Sequence, residues 1–402
     1  MDFTTGNGPS GVVISDLDGD GKADLAVVNT YSNTISVFRN TSSSSSITSS
    51  SFAAKVDFTT GANPRSVAIG DLDGDGKTDL VVGNYDGNSV SVLRNTSSSG
   101  SITSSSFAPK VDFITGTSPF SVTIGDIDAD GKPDLAVANY DASTLSVLLN
   151  TGAPGSLSFA VKSDFATVTK PVSIALGDIN GDGKPDLVAA TYASNTVSVL
   201  RNTGSAGSVT FAAAMDFATG TGPQSVSIGD IDGDGKPDLA TANSGAATVS
   251  VLLNTGSSGS VAFAVKTDFA SGASPMSVTI GDIDGDGKPD LAAANSGAST
   301  VSVLRNTSNS GTVVFAAKVD IPTGADPRFV AIGDIDGDGK PDLAVANFGD
   351  ATVSVLRNNP IFPPVITSFS PASGPIGTTV TITGTNFNTT PASNVVFFGA
   401  TM

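Results

Sequence analysis

Apolar residues recur at every second position in short runs, and the runs come in sets of four. One set reads SVAIG (66–70), LVVGN (80–84), VSVLRN (90–95) and FAPKVDF (107–113). A period of two carried by β-branched residues predicts strands, and the Gly, Asn, Ser and Asp clusters between the runs predict tight turns. No stretch holds a 3.6-residue period long enough for a helix, so the chain reads as all-β.

The set repeats. The turn between its first two runs begins at Asp16, Asp71, Asp126, Asp178, Asp230, Asp282 and Asp334, in steps of 55, 55 and then 52 residues. A fixed period of that length means an array of like units. Four short strands per unit and seven units predict a seven-bladed β-propeller of four-stranded blades over residues 1–358. A right-handed β-helix is the rival architecture, but its turns are usually shorter and its strands parallel. Small residues of the first run (Ser66, Ala68, Gly70), alternating with Val67 and Ile69, suit the crowded innermost position of a blade.

Composition sharpens the reading of the turn. All 38 acidic residues are Asp, and 27 of them lie in the seven turns. Asp stands at positions 1, 3, 5 and 9 and Lys at position 7. The first copy is Asp16, Asp18, Asp20, Lys22 and Asp24; the second Asp71, Asp73, Asp75, Lys77 and Asp79; the third Asp126, Asp128, Asp130, Lys132 and Asp134. The fourth is Asp178, Asn180, Asp182, Lys184 and Asp186, and the fifth Asp230, Asp232, Asp234, Lys236 and Asp238. Asp282, Asp284, Asp286, Lys288 and Asp290 form the sixth, and Asp334, Asp336, Asp338, Lys340 and Asp342 the seventh. Calcium takes 6–8 oxygen ligands from carboxylates, carbonyls and water, and spacing by two turns alternate side chains inwards while the Lys offers its carbonyl. An Asx-rich turn repeated only for its shape is the alternative, but shape alone does not need four carboxylates. About seven Ca2+ ions, one per blade, are therefore expected, the fourth site being weakest because Asn180 drops a charge.

The net charge of −18 is then mostly metal site, and seven divalent ions would bring it to about −4. Nucleic acid is disfavoured as a partner. With no Cys and no His, disulfides, zinc–thiolate sites and His-dependent triads are excluded. Calcium sites of this kind fill where calcium is millimolar, which points to an extracellular or cell-surface location. The sequence holds neither a transmembrane run nor a signal peptide.

Met1-Asp2-Phe3 matches Val56-Asp57-Phe58, so the chain begins inside a repeat and reads as a fragment. Six copies have a full fourth run. The seventh is expected to have three full strands and an outer edge left open, or patched near Ile361 and Ile366. Length varies only in the Ser/Thr/Gly segment between the third and fourth runs, such as 41–51, expected to be a solvated rim loop with no specific role. Pro360, Pro363 and Pro364 mark a linker at 359–363, and a different β domain, cut short, occupies 364–402.

Tyr31, Tyr85, Tyr140 and Tyr192 all fall between the second and third runs, with Phe348 equivalent in copy seven and Ser244 and Ser296 in copies five and six. Around a closed ring these aromatics would form a crescent on one face. Such rings either stack on sugars or cap the apolar seams between blades. The residues after the Pro that opens each first run also differ from copy to copy: Ser10, Arg65, Phe120, Val172, Gln224, Met276 and Arg328.

The seven D-x-[DN]-x-D-[GA]-x-x-D turns after SVxIG-like runs resemble the FG-GAP/VCBS repeat family, the loop type of the integrin α-subunit propeller. The Phe-Gly and Gly-Ala-Pro signatures are not repeated in each copy, which places the chain nearer the VCBS type. Residues 364–402 resemble the first half of an IPT/TIG domain, an immunoglobulin-like β-sandwich, through Ser368-Phe369-Ser370-Pro371, Gly374-Pro375 and 381–387 (TITGTNF). The resemblance implies that the Asp turns lie on one face of the disc and the tyrosine loops on the other. It implies a non-catalytic, calcium-stabilised module of a larger secreted or cell-surface protein, for display, adhesion or protein interaction. Two readings compete with it. One is a carbohydrate-binding propeller using the aromatic face. The other is an enzyme such as a polysaccharide lyase, for which the sequence supplies no Glu pair and no His.

Overall fold

In a computed structural model the chain divides into two compact units, Met1–Asn358 and Asn359–Met402. All residues are described except 44–45, 310, 359–364, 372, 374, 376–378 and 386–402. The proline linker, Gly374, and Asn386 and Phe387 of the second unit's motif fall outside the described residues.

The first unit is a seven-bladed β-propeller, each blade a four-stranded antiparallel sheet. Blade one is Pro9–Ser15, Asp24–Asn29, Thr34–Phe38 and Val56–Thr59 from axis to rim; blade two is Pro64–Gly70, Asp79–Asn84, Ser89–Leu93 and Val111–Ile114. The fourth strand is shorter than the pattern predicts. Phe107 makes only an isolated bridge to Asn95, and pairing resumes at Val111. Among the described residues there is no helix, so none is long and apolar enough to cross a membrane.

Second strands are buried at every position because each is covered on both faces by a neighbouring blade. The core is therefore a set of interblade seams. One joins Leu72, Val81, Val90 and Val92 of blade two to Val122, Leu135, Val137 and Leu148 of blade three. Towards the rim, a Phe of one blade's fourth strand meets a Phe of the next blade edge-on, as in Phe58–Phe107 at 5.0 Å and Phe217–Phe263 at 4.9 Å.

The third strand of blade seven does not end the sheet in an open edge; the expected patch from Ile361 to Ile366 lies largely outside the described residues. Asp2–Thr4 supplies its fourth strand, pairing Asp2 with Ser354, Phe3 with Val353 and Thr4 with Thr352. Three residues suffice because they reproduce the anchors of the other fourth strands, of which only blade six has Ile321 in place of the Phe. The Ser354 hydroxyl donates to Asp2 (2.6 Å) as Ser91 does to Asp112 (2.6 Å). Phe3 meets Phe52 of blade one at 4.9 Å. The seam between blades seven and one, with Val353 and Val355 against Val12 and Leu25, closes the ring. In the second unit, Val365–Ser370 pairs antiparallel with Thr381–Thr385.

Candidate metal centres and the opposite face

Each Asp turn links the first and second strands of its blade, and its carboxylates fold the loop before any ion is considered. In blade two, Asp71 accepts from the backbone N–H of Asp75 (3.1 Å) and Gly76 (2.8 Å), and Asp75 accepts from Lys77 N–H (2.9 Å). Gly76, at position 6 with φ +83°, turns the chain back; at position 4, where the other copies have Gly (Gly74, φ +72°), Ala129 of blade three takes φ +58°, a left-handed conformation that disfavours a side chain. Position 9 is rooted deepest. Asp79 is fully buried and accepts from the backbone N–H of Leu72 (2.9 Å) and Asn95 (2.7 Å). The Lys77 ammonium turns away from the loop and donates to Ser97 O at 2.8 Å.

Positions 1, 3 and 9 bring carboxylate oxygens within 4.8 Å of one another in blades one, two, three and six (Asp16, Asp18, Asp24 and their equivalents); in blade five the set is Asp230, Asp232 and Asp234. Every donor is an oxygen, so the set suits a hard divalent cation and no soft one. Burial pushes Asp24 up to about 7, and Asp79, Asp134, Asp186 and Asp238 up to about 6, although two or three backbone N–H groups oppose the shift at each. In blade four, Asn180 donates to Asp182 (3.0 Å) where the other copies set two carboxylates side by side.

The residue after the third strand adds a cation to some loops. Arg39 donates to Asp18 (2.7 Å) and Asp20 (3.1 Å), and Arg357 pairs with Asp336 and Asp338. Blades three and five have Leu149 and Leu253 there. In those two, burial and the charge of Asp130 or Asp234 raise the Asp128 and Asp232 carboxyls, and the loop lysines fold onto their own loops instead, Lys132 to Asp130 at 3.7 Å and Lys236 to Asp234 at 3.3 Å.

Two parts of these centres are not apparent in the sequence. The first is an asparagine latch. Asn95 Nδ2 donates to Leu17 O of the preceding blade's Asp turn (2.8 Å) and to Thr78 O of its own (2.9 Å), while Asn95 N–H holds Asp79. Asn40, Asn150, Asn202, Asn254, Asn306 and Asn358 bond to the preceding blade in the same way. The only signal was an invariant Asn after the third run of every copy. The second is the rim loop, which does have a role. Gly100 N–H donates to Asp18 O (3.2 Å), Gly155 N–H to Asp73 O (2.6 Å) and Gly259 N–H to Asn180 O (2.7 Å), each capping the Asp turn of the blade before it. Replacing Asn95 by Ala leaves Thr78 O without its side-chain donor and Leu17 O with the Ser97 hydroxyl alone (3.0 Å), in a buried seam. The expected cost is about 2 kcal/mol in a urea titration, against almost none for Ser49→Ala on an exposed rim tip.

The other face carries the tyrosine loops. Tyr31 (67 % exposed) sits edge-on to Phe348 at 5.2 Å, bridging blades one and seven, and Arg328 lies 4.1 Å over the Phe348 ring. Tyr85, Phe120 and Tyr140 form a second group at 5.8–6.2 Å, with Lys170 over Tyr140 at 4.8 Å. Tyr192, 39 % exposed, stands apart from both groups beside Gly222. The crescent is thus two clusters and a single ring, and Phe120, absent from the tyrosine pattern, belongs to the larger one.

The FG-GAP-like repeat profile matches residues 16–82, 71–137, 126–189, 178–241, 230–293 and 282–345, each span running from one Asp turn through the next, and the IPT/TIG domain profile matches 364–401. No curated protein matches the chain. Among solved structures it is similar to BBS1N in complex with ARL6DN (11 % identity, 90 % of this chain and 96 % of that one, TM-score 0.58). It is also similar to an Agrocybe aegerita lectin described by its specific recognition of non-reducing terminal N-acetylglucosamine (20 % identity, 87 % and 94 %, TM-score 0.51). A third is a putative 6-phosphogluconolactonase from Bacteroides uniformis (17 % identity, 78 % and 86 %, TM-score 0.54). At these identities the likeness is one of fold.

Proposed function

The chain belongs to the FG-GAP-like repeat family, and on that premise we propose that it is a calcium-stiffened, non-catalytic interaction module of a larger secreted or cell-surface protein. The observation that carries this is the convergence of three carboxylates, at least one of them buried, in the Asp turns of blades one, two, three, five and six. Asp16, Asp18, Asp20 and Asp24, with the carbonyl of Lys22, would hold the ion in blade one, and the equivalent residues would do so in the other blades. The ion would supply only charge balance and stiffness, because the chain brings no His, Glu or Cys to the site. A neighbouring IPT/TIG domain is of the kind that spaces modules in extracellular proteins. Partners are then other surface or extracellular proteins; that a protein of similar fold, BBS1N, is held in complex with ARL6DN supports a binding role for the fold. Equilibrium dialysis that found no Ca2+ bound to the folded protein would defeat the reading.

A carbohydrate-binding propeller is the second reading, supported by the aromatic group Tyr85, Phe120 and Tyr140 on the face away from the Asp turns and by a lectin of the same fold. Tyr85→Ala with Tyr140→Ala is expected to abolish binding on a glycan array while the melting temperature in Ca2+ stays within a few degrees of wild type. Loss of stability with no glycan ligand for the parent protein would assign these rings to packing.

A further inference from the structure

At the axis, on the tyrosine face, the innermost strands surround a small cavity of about 90 Å3. Its wall is regular for most of the ring. The hydroxyls of Ser121, Ser173, Ser225 and Ser277 each accept from the backbone N–H of the next blade's inner strand, at 3.3, 3.2, 2.8 and 3.0 Å. Blade two breaks the pattern. Ser66, at the same position, has a buried hydroxyl with no partner, and beside it the buried Nε of Arg65 has none either.

Arg65 and Arg328 both line this cavity, and none of the lining residues is acidic, although the chain carries −18 overall. The two arginines differ. Arg328 is satisfied by a two-point contact with Asp326, at 3.1 and 2.9 Å. Among the described residues no carboxylate pairs with Arg65, which lies between Tyr85 (5.3 Å) and Phe120 (5.8 Å). Burial, and after it the charge of Arg328, hold the Arg65 guanidinium below its ordinary value. Arg65 is half-buried and its Nε is the buried donor left without a partner; such a donor is costly unless an anion completes it, and a guanidinium fork matches a carboxylate in two-point geometry.

We propose that the axial mouth is a carboxylate site in which Arg65 and Ser66 take the acid group of a carboxylated sugar and Phe120 receives the face of its ring. A cavity of about 90 Å3 takes the acid group and leaves the sugar ring at its mouth against Phe120, and an aromatic wall beside a charged fork distinguishes a sugar acid from a simple anion. This rests on the carbohydrate reading above and deepens it.

The test is calorimetry and saturation-transfer NMR on the full chain in Ca2+, with methyl glucuronide, neutral methyl glucoside and a tetra-aspartate peptide as probes. The glucuronide is expected to bind at least tenfold more tightly than the glucoside. Arg65→Gln should reduce that affinity tenfold or more while leaving the melting temperature unchanged or raised, since it removes a half-buried charge whose Nε has no partner, and Arg65→Lys should recover only part of it. Phe120→Ala should weaken the glucuronide without restoring glucoside binding. Equal binding of glucuronide and glucoside, or a glucuronide affinity indifferent to Arg65→Gln, overturns the carboxylate site and leaves the carbohydrate reading standing. No binding of either sugar together with a blank glycan array overturns both. A tetra-aspartate affinity that equals the glucuronide's and falls in Arg65→Gln assigns the mouth to acidic peptides and overturns the sugar assignment.

Discussion

Chelation is expected to lower the melting temperature of this protein by about 25 °C, and Ca2+ to restore it where Mg2+ does not. The carboxylate oxygens of a turn lie within 4.8 Å of one another, a separation at which two unit charges repel by about 3 kcal/mol at an effective dielectric near 20. An ion at a hundred times its dissociation constant contributes about 2.7 kcal/mol per site, or about 19 kcal/mol for seven sites. For the 358-residue unit, an unfolding entropy of about 2.1 cal/mol/K per residue converts each kcal/mol into about 1.3 °C. Mg2+ demands a small octahedral shell and keeps its water, so it fits a many-carboxylate loop poorly. The pH response should reverse with metal. Without it, Asp24 near 7 and Asp79, Asp134, Asp186 and Asp238 near 6 are raised from 3.8, so the folded state holds protons more tightly than the unfolded one. Their contribution is fully present below about pH 4 and is lost as pH rises through 6–7. The melting temperature in EDTA should therefore fall from pH 5 to pH 8, while in Ca2+ it should hold or rise, because the ion needs the deprotonated ligands. A melting curve unmoved by EDTA would sink the calcium assignment.

The second large effect is expected from the chain's first residues. Removing residues 1–5 takes away the fourth strand of blade seven, leaves the buried Ser354 hydroxyl without Asp2, and uncovers Phe52. Phe3→Ala alone should cost about 3 kcal/mol, the low end for an aromatic truncation because Phe3 is only half-buried. The full truncation should cost more and expose the backbone edge of Thr352–Leu356, so size-exclusion chromatography should show concentration-dependent self-association. Phe113→Ala, the equivalent change inside blade two, should lower stability by a similar amount with no change in oligomeric state. A truncated protein that stays monomeric and melts with the intact chain would show that the ring does not depend on this strand.

What the sequence by itself determined is what short-range periodicity encodes. The alternation of Ser66 to Gly70 and of Leu80 to Asn84 marks strands, Gly76 and the spaced carboxylates mark the turn, and the repeat of both sets the number of blades. These features need only neighbours a few residues apart, so they are written locally. The tertiary structure decided what crosses between units. Asn95 reaches a carbonyl 78 residues away, and the Met1 amino group donates to Val355 across 354 residues. The rim loops, which read as solvated Ser-rich tips, turn out to cap the preceding Asp turns because propeller geometry brings each blade's rim over its neighbour's loop. Arg65 is the clearest case. In the sequence it is one of seven residues, of six types, that follow a proline, and only closure of the inner strands around the axis half-buries it, sets Arg328 near it and leaves its Nε without a partner. Burial and charge proximity at an axis are properties of the closed ring, and no local pattern carries them.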